Sequence, residues 1–186
     1  AAISTVLKTD VNQVGINATG AVDVNSTGTF TANTLSKGAS GGVAAIGGMY
    51  AVVSLGGGTS VNEVEAILGD STIVNAGTLS VSAVSTDNMS AQSNALAVGG
   101  ITVPGAYSTV YSDLAALAQI GDNTEITVSG FVLQSRHVQI VQSHADALSI
   151  GLATGNGSDV DNYILSKANV VVGENNTVTA NTILID

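Results

Sequence analysis

The sequence predicts an all-β chain: a right-handed parallel β-solenoid (β-helix) built from one internal repeat. Three observations carry this expectation. A short motif, Ala66-Ile67-Leu68-Gly69-Asp70, returns as Ala118-Gln119-Ile120-Gly121-Asp122 and as Val170-Val171-Val172-Gly173-Glu174, a step of 52 each time (121 − 69 and 173 − 121). A second marker, Ala45-Ile46-Gly47, Ala97-Val98-Gly99 and Ser149-Ile150-Gly151, keeps that step, so the copies are expected to follow one another without a gap. Within each copy, apolar residues alternate with polar or variable ones at the strand period of two. A fixed internal repeat decides architecture before any local assignment does.

Taken in order, residues 1–35 read as a partial copy, because Gly20-Ala21-Val22-Asp23-Val24 matches Gly77-Thr78-Leu79-Ser80-Val81 after a segment too short for a full unit. Full repeats follow at about 36–89 and 90–144, and a partial repeat at 145–186 completes a single solenoid segment, 1–186. Val64, Ala66 and Leu68 alternate with Glu63, Glu65 and Ile67, and the counterparts of the first set stay apolar in each copy: Ala116, Ala118 and Ile120, then Ala168, Val170 and Val172. That set is expected to face inward. Leu79, Val81 and Ala83 repeat the pattern, as do Ile183 and Ile185. Ala115–Ile120 alone could pass for a helical turn, but its counterparts are rich in Val and Asn and read as strand. Gly-Asp, Gly-Glu, Asn-Gly and Ser-Gly steps supply turn chemistry, so four or five short strands are expected per repeat. Solenoid coils of roughly 20 to 30 residues are common, so each repeat is expected to make about two coils. A β-sandwich array is the structural rival, but the repeat is short for a domain of about 100 residues.

Composition narrows the function. The net charge of −10 and pI of about 4.1 disfavour nucleic acid and anionic membrane surfaces as partners. The cations are Lys8, Lys37, Arg136 and Lys167, too scattered to line an anion-binding cleft. Aromatics make up 3% and Gly numbers 22, so the core must be built from small aliphatic layers. No cysteine is present for a disulfide or thiol chemistry. No apolar run approaches the roughly 20 residues of a membrane span. The chain does not open on a basic and then apolar signal, so any export signal is expected to have been removed or to lie outside this segment.

Three constellations are candidates for chemistry. Asp70, Asp122 and Glu174 each follow a turn glycine; as structural turn acids they are expected to cap their own turns through nearby backbone N–H groups, with a Ca²⁺ ladder as the rival reading. Gly155-Asn156-Gly157-Ser158-Asp159-Val160-Asp161 resembles one calcium-binding nonapeptide, and Asp159 and Asp161 with the following Asn162, three oxygen-bearing side chains, are the candidate metal site, with Ca²⁺ as the ion. His137 and His144 lie with Arg136 in a stretch that abandons its siblings' alternation, without a carboxylate nearby in sequence, and read as an outer face or a bulge. No catalytic elbow, phosphate loop or metalloprotease motif appears, so neither catalytic residues nor a bound cofactor are expected and the chain is not read as an enzyme.

Gly41–Gly48, Val61–Asp70 and Val74–Ala83 together resemble one unit of the large bacterial filamentous adhesins, of the leukotoxin-like and filamentous-haemagglutinin-like kind. The resemblance runs from Ser36 onward and departs at Phe131–His144 and Asn156–Asn162. It implies an exported, β-helical, extracellular or cell-surface protein serving adhesion or a structural stalk. The expected partners are copies of itself or flanking repeats, end to end, with a host glycan or protein as an alternative ligand, and with neither nucleic acid nor membrane insertion.

Overall fold

In the computed structural model the described residues are 2–3, 6–56 and 62–186, with side chains described for 6–56 and 64–186. The strands are β1 (Ala2–Ile3), β2 (Val6–Val11), β3 (Gly15–Asn17), β4 (Ala21–Leu55), β5 (Asn62–Leu68), β6 (Ile73–Asn75), β7 (Thr78–Ile120), β8 (Glu125–Thr154), β9 (Gly157–Val172) and β10 (Thr177–Ile185). Every pairing among them is parallel. The chain is all-β, and stacked parallel coils account for its pairing.

The register corrects the expected coil. β7 lies under β8 from Thr78↔Gly130 to Thr102↔Thr154 and under β9 from Gly105↔Gly157 to Ile120↔Val172, so like sits on like at a step of 52 (130 − 78). A whole repeat is therefore consumed per strand spacing of about 4.8 Å, giving one coil per repeat where about two were expected. The four or five short strands merge likewise, β7 alone running 43 residues. The cause lies in the sequence between Thr78 and Val98, which contains neither Gly nor Pro. Nothing turns the chain there, and it continues as one long leg.

Each coil is thus a flat hairpin. In the middle coil an outgoing leg runs from Thr78 to Val98, a bend follows at Gly99-Gly100, and a return leg runs from Ile101 to Ile120. The bend needs glycine: a Cβ on Gly99 would collide with the carbonyl of Gly42 below, and one on Gly151 with the carbonyl of Gly99. Side chains of the legs alternate inward and outward, and the inward rows of the two legs face each other. The layers come close enough for serine hydroxyls to reach the opposite backbone. Ser108 Oγ donates to Ala91 O (2.6 Å) and Ser135 Oγ to Ala116 O (2.9 Å).

The expected inward row is correct. Val64, Ala66, Leu68, Ala116 and Ala118 are fully buried and Ile120 is 1% exposed. Ala168, Val170 and Val172 stack on them in register, but Val172 is 49% exposed because no described strand lies above it.

The first coil departs from the common step. Ala21–Leu55 pair at a step of 57, ending at Leu55↔Ser112 (112 − 55), whereas Asn62 pairs with Leu114 at the step of 52. Five extra residues therefore lie between Leu55 and Asn62, in a segment mostly outside the described residues. Gly20–Val24 sits on Gly77–Val81 as expected. The second sequence marker, however, fails between its first two copies: Ala45 pairs with Thr102, and Ala97 with Ser40. The copies are not gapless.

Candidate functional site

The corner joining successive coils is the most regular feature. A residue with positive φ recurs at Gln13 (51°), Ser71 (54°), Asn123 (55°) and Asn175 (57°), and the backbone is stitched from coil to coil by Gly121 N–H to Leu68 O (2.7 Å) and Gly173 N–H to Ile120 O (2.8 Å). The turn acids act between coils. Asp70 Oδ1 accepts from the backbone N–H of Asp122 (2.8 Å), and Asp122 Oδ1 from that of Glu174 (2.7 Å). The expectation of self-capping is corrected here: the carboxylate reaches the equivalent residue one coil up, because stacking brings that N–H within reach. The glycine before each acid makes the room. A Cβ on Gly121 would strike Asp70 Oδ1, and one on Gly173 would strike Asp122 Oδ1. At Gly121 and Gly173 this makes a slot and a key, the glycine receiving the acid and the close backbone of the coil beneath, whereas a Cβ on Gly69 would meet Asn12 instead. Asn176 Oδ1 adds a second such link, accepting from Thr124 N–H and Thr124 Oγ1 at 2.8 Å each.

The candidate calcium residues lie on β9, where strand alternation separates them. Asp159 and Asp161 fall on the outer face, above Tyr107 and Thr109, while Asn162 turns to the other side, its Oδ1 accepting from Ser143 Oγ (2.7 Å). The three are not brought to one point. No cluster of three or more His, Asp or Glu suited to a metal occurs among the described residues.

The stretch Phe131–His144, expected to be an outer face or a bulge, keeps the alternation and pairs residue by residue with β7. His137 lies on the inward row. Stacking supplies the carboxylate that sequence proximity lacked: His137 Nε2 is 2.9 Å from Asp87 Oδ2, the two side chains 5% and 0% exposed. Asp87 Oδ1 accepts from Ser85 Oγ (3.1 Å), and Gln139 Nε2 donates to Ser112 Oγ across the layers. The imidazole meets Asp87 off the line of a ring N–H, so neither Asp87 Oδ2 nor either ring nitrogen has a directed hydrogen-bond partner. This polar seam lies between the large aliphatic rows of the corner and the small, hydroxyl-bearing rows of the arm. For His144 the expected lack of a carboxylate nearby in sequence is corrected outright, since Asp146, two residues along, makes an exposed contact with it (2.7 Å), of the kind that contributes little. Lys8, between Asp10 (3.3 Å) and Glu65 (3.6 Å), is held above its ordinary value of 10.5, chiefly by its hydrogen bond to Asp10.

Sequence reasoning passed over the tyrosines. All four stand on the outer face of the return legs. Tyr111 and Tyr163 stack one coil apart with centroids 4.9 Å apart and planes within 7°, while Tyr50 and Tyr107 are 6.0 Å apart at 34°. The signal was available for Tyr107, Tyr111 and Tyr163, which share one parity along the step of 52, but not for Tyr50, which joins them only through the step of 57. No family model, curated protein or solved structure matches the chain.

Proposed function

We propose that this chain is a structural, adhesive segment of an exported bacterial surface or extracellular-matrix fibre, working as a stiff rod rather than as an enzyme. The coils are read as right-handed, the hand nearly universal for a parallel strand, crossover, strand connection. Stiffness follows from continuous backbone ladders, stacked aliphatic rows and an acid bonded to each coil above.

The observation that carries the reading is the difference between a covered and an uncovered coil. Val160, Ile164 and Val172 are 41%, 46% and 49% exposed, whereas Ser108, Ser112 and Ile120 beneath them are 1%, 2% and 1% exposed. Another coil laid on β9 would bury these side chains and pair its free N–H and C=O groups. That coil would come from flanking repeats or from another copy, and contact between unlike ends gives open filaments rather than closed dimers. The negative charge should slow such growth, and salt should speed it by screening. Light scattering at rising salt and protein concentration tests this. Growth into filaments is expected, and scattering that stays flat at high salt would overturn the axial reading.

The tyrosine face supports a second reading, a ligand-binding module of an adhesin. Four exposed phenol rings beside Asp159 and Asp161 offer apolar surface and hydrogen-bonding groups on a flat sheet, suited to a glycan or a host protein. A glycan array separates the two readings, since a rod without that role binds nothing on it.

A further inference from the structure

The outer face of the outgoing legs, next to the bend, carries three rows that each change character from the first coil to the third. The polar row is Lys37, Asn94, Asp146: positive, neutral, negative. The next row outward is Ala39, Leu96, Leu148, and the one after it Gly41, Val98, Ile150. In both apolar rows a small residue in the first coil is answered by a large one in the third. Between the polar row and the first apolar row runs a groove of about 760 Å³, floored by Gly38, Ala95 and Ala147. Leu148 and Ile150 are 57% and 55% exposed, and the bend beyond them presents Leu152 at 98%. This much apolar surface in one place is unusual for a surface without a partner.

We propose that two copies of this chain pack side by side through this face, antiparallel, about a two-fold axis running along the middle strand. That operation sets the first coil of one copy against the third coil of the other. Lys37 then meets the partner copy's Asp146 position twice over, and the small Ala39 and Gly41 positions receive the large Leu148 and Ile150. Leu96 and Val98 meet their own equivalents at the axis. A parallel arrangement, about an axis along the stack, reverses the order of the rows instead: centred on the polar row it opposes Lys37 to Lys37 and Asp146 to Asp146, and centred on the first apolar row it sets the polar row against the second apolar one. The face is thus self-complementary in one orientation, as an isologous contact requires.

The wider charge distribution favours a second copy as the occupant. The chain carries −10 overall, so two copies repel over most of their surfaces. Residues 38–56 and 88–112 are free of Asp, Glu, Lys and Arg, as are 147–158. These stretches form the arm that ends in the bend, so close approach there brings few like charges together. Among the described residues Lys37 has no ion-pair partner within its own chain.

Charge reversal tests orientation as well as contact. Sedimentation velocity should give a dimer, and Lys37→Asp or Asp146→Lys alone should weaken it about tenfold, since each change spoils two symmetry-related pairs. The double variant, Lys37→Asp with Asp146→Lys, should regain affinity to within about threefold of the original. Ala39→Leu should also weaken the dimer, with Leu148→Ala restoring it. If the chain also grows axially, negative-stain images should give filaments two solenoids wide. A monomer at high concentration, filaments one solenoid wide, or a double reversal no better than either single change would overturn the proposal. A dimer that never lengthens leaves this contact intact and counts against axial growth alone.

Discussion

The two ends of each flat coil are built on different terms. At the corner the facing rows carry large aliphatics, Leu68, Leu79, Val74, Ile120 and Ile126, each at most 1% exposed. At the arm the facing rows narrow to Ala91, Ser93, Ala95 and Ala97 against Thr102, Ala106 and Ser108, also buried but small. The corner gains stability from apolar area, and the arm from close approach of two backbones with hydroxyls bonded across. Large side chains leave large cavities when cut back, whereas small ones leave little. The difference also assigns labour, because the thin arm carries the tyrosine rows and the apolar bend on its outer surfaces. The corner holds the stack, and the arm presents it.

The largest effect that can break this comparison is a charge placed in the corner. Leu68→Asp or Ile120→Asp should cost several kcal/mol by burying an unpaired carboxylate, and Leu68→Ala about 2–5 kcal/mol through its cavity. Glu65→Ser and Gln119→Ser, on the opposite face, should stay within about 0.5 kcal/mol. In the arm, Ala97→Gly should cost about 1 kcal/mol. Thermal unfolding of the set decides the matter: an arm as sensitive as the corner, or an Asp variant that melts with the wild type, contradicts the division.

The polar seam between the two regions should respond next most strongly. Asp87→Ala leaves the buried His137 ring without the polar group beside it, and His137→Ala leaves the fully buried Asp87 without its neighbour; either should cost about 1–3 kcal/mol. Replacing both, Asp87→Leu with His137→Leu, should be close to neutral, because an apolar pair leaves neither polar group of the contact buried without a partner. Denaturant titration measures all three. A double variant as unstable as the two single losses added together would mean that the seam positions the legs and does not merely tolerate its polar groups.

The same contrast explains what could be read from residues alone. Val64, Ala66 and Leu68 betrayed their direction because alternation is local and the repeat printed it three times. The step of 52 was legible for the same reason, at the Gly-Asp corner. The second marker misled because Ala45-Ile46-Gly47 and Ala97-Val98-Gly99 look alike while five extra residues offset their strands. The usual coil of roughly 20 to 30 residues suggests two coils per repeat, and the informative fact against it is a long stretch, Thr78–Val98, without Gly or Pro. Asp87 and His137 were invisible as a pair: their positions differ by 50 (137 − 87), two short of the repeat, so they meet diagonally across stacked strands. Sequence proximity carries no trace of such a contact. The acid ladder was half visible, since its residues were marked but their partners lie in the neighbouring coil.

The finest test of the corner is its slot and key. Gly121→Ala places a methyl where Asp70 Oδ1 sits, and the side chain must leave its bond to Asp122 N–H or push the coils apart. A cost of about 1–2 kcal/mol is expected from such overpacking. Asp70→Ala should cost less, about 0.5–1 kcal/mol, because the bond lies at the surface and water can replace it. Together the two changes should cost less than their sum by about 0.5 kcal/mol, since the alanine at 70 removes only the nearest of the atoms that the methyl at 121 would meet, while Asp70 N at 2.6 Å and the Gly69 carbonyl carbon at 2.7 Å stay in place. Gly48→Ala on the arm meets nothing within 4 Å and serves as the control, staying within about 0.5 kcal/mol. The coupling is the discriminating quantity. If the glycine is retained only for its backbone freedom, both losses add and removal of the acid relieves nothing. If it is a slot, the double variant recovers part of what Gly121→Ala loses, and the same relief should appear one coil up, between Gly173→Ala and Asp122→Ala.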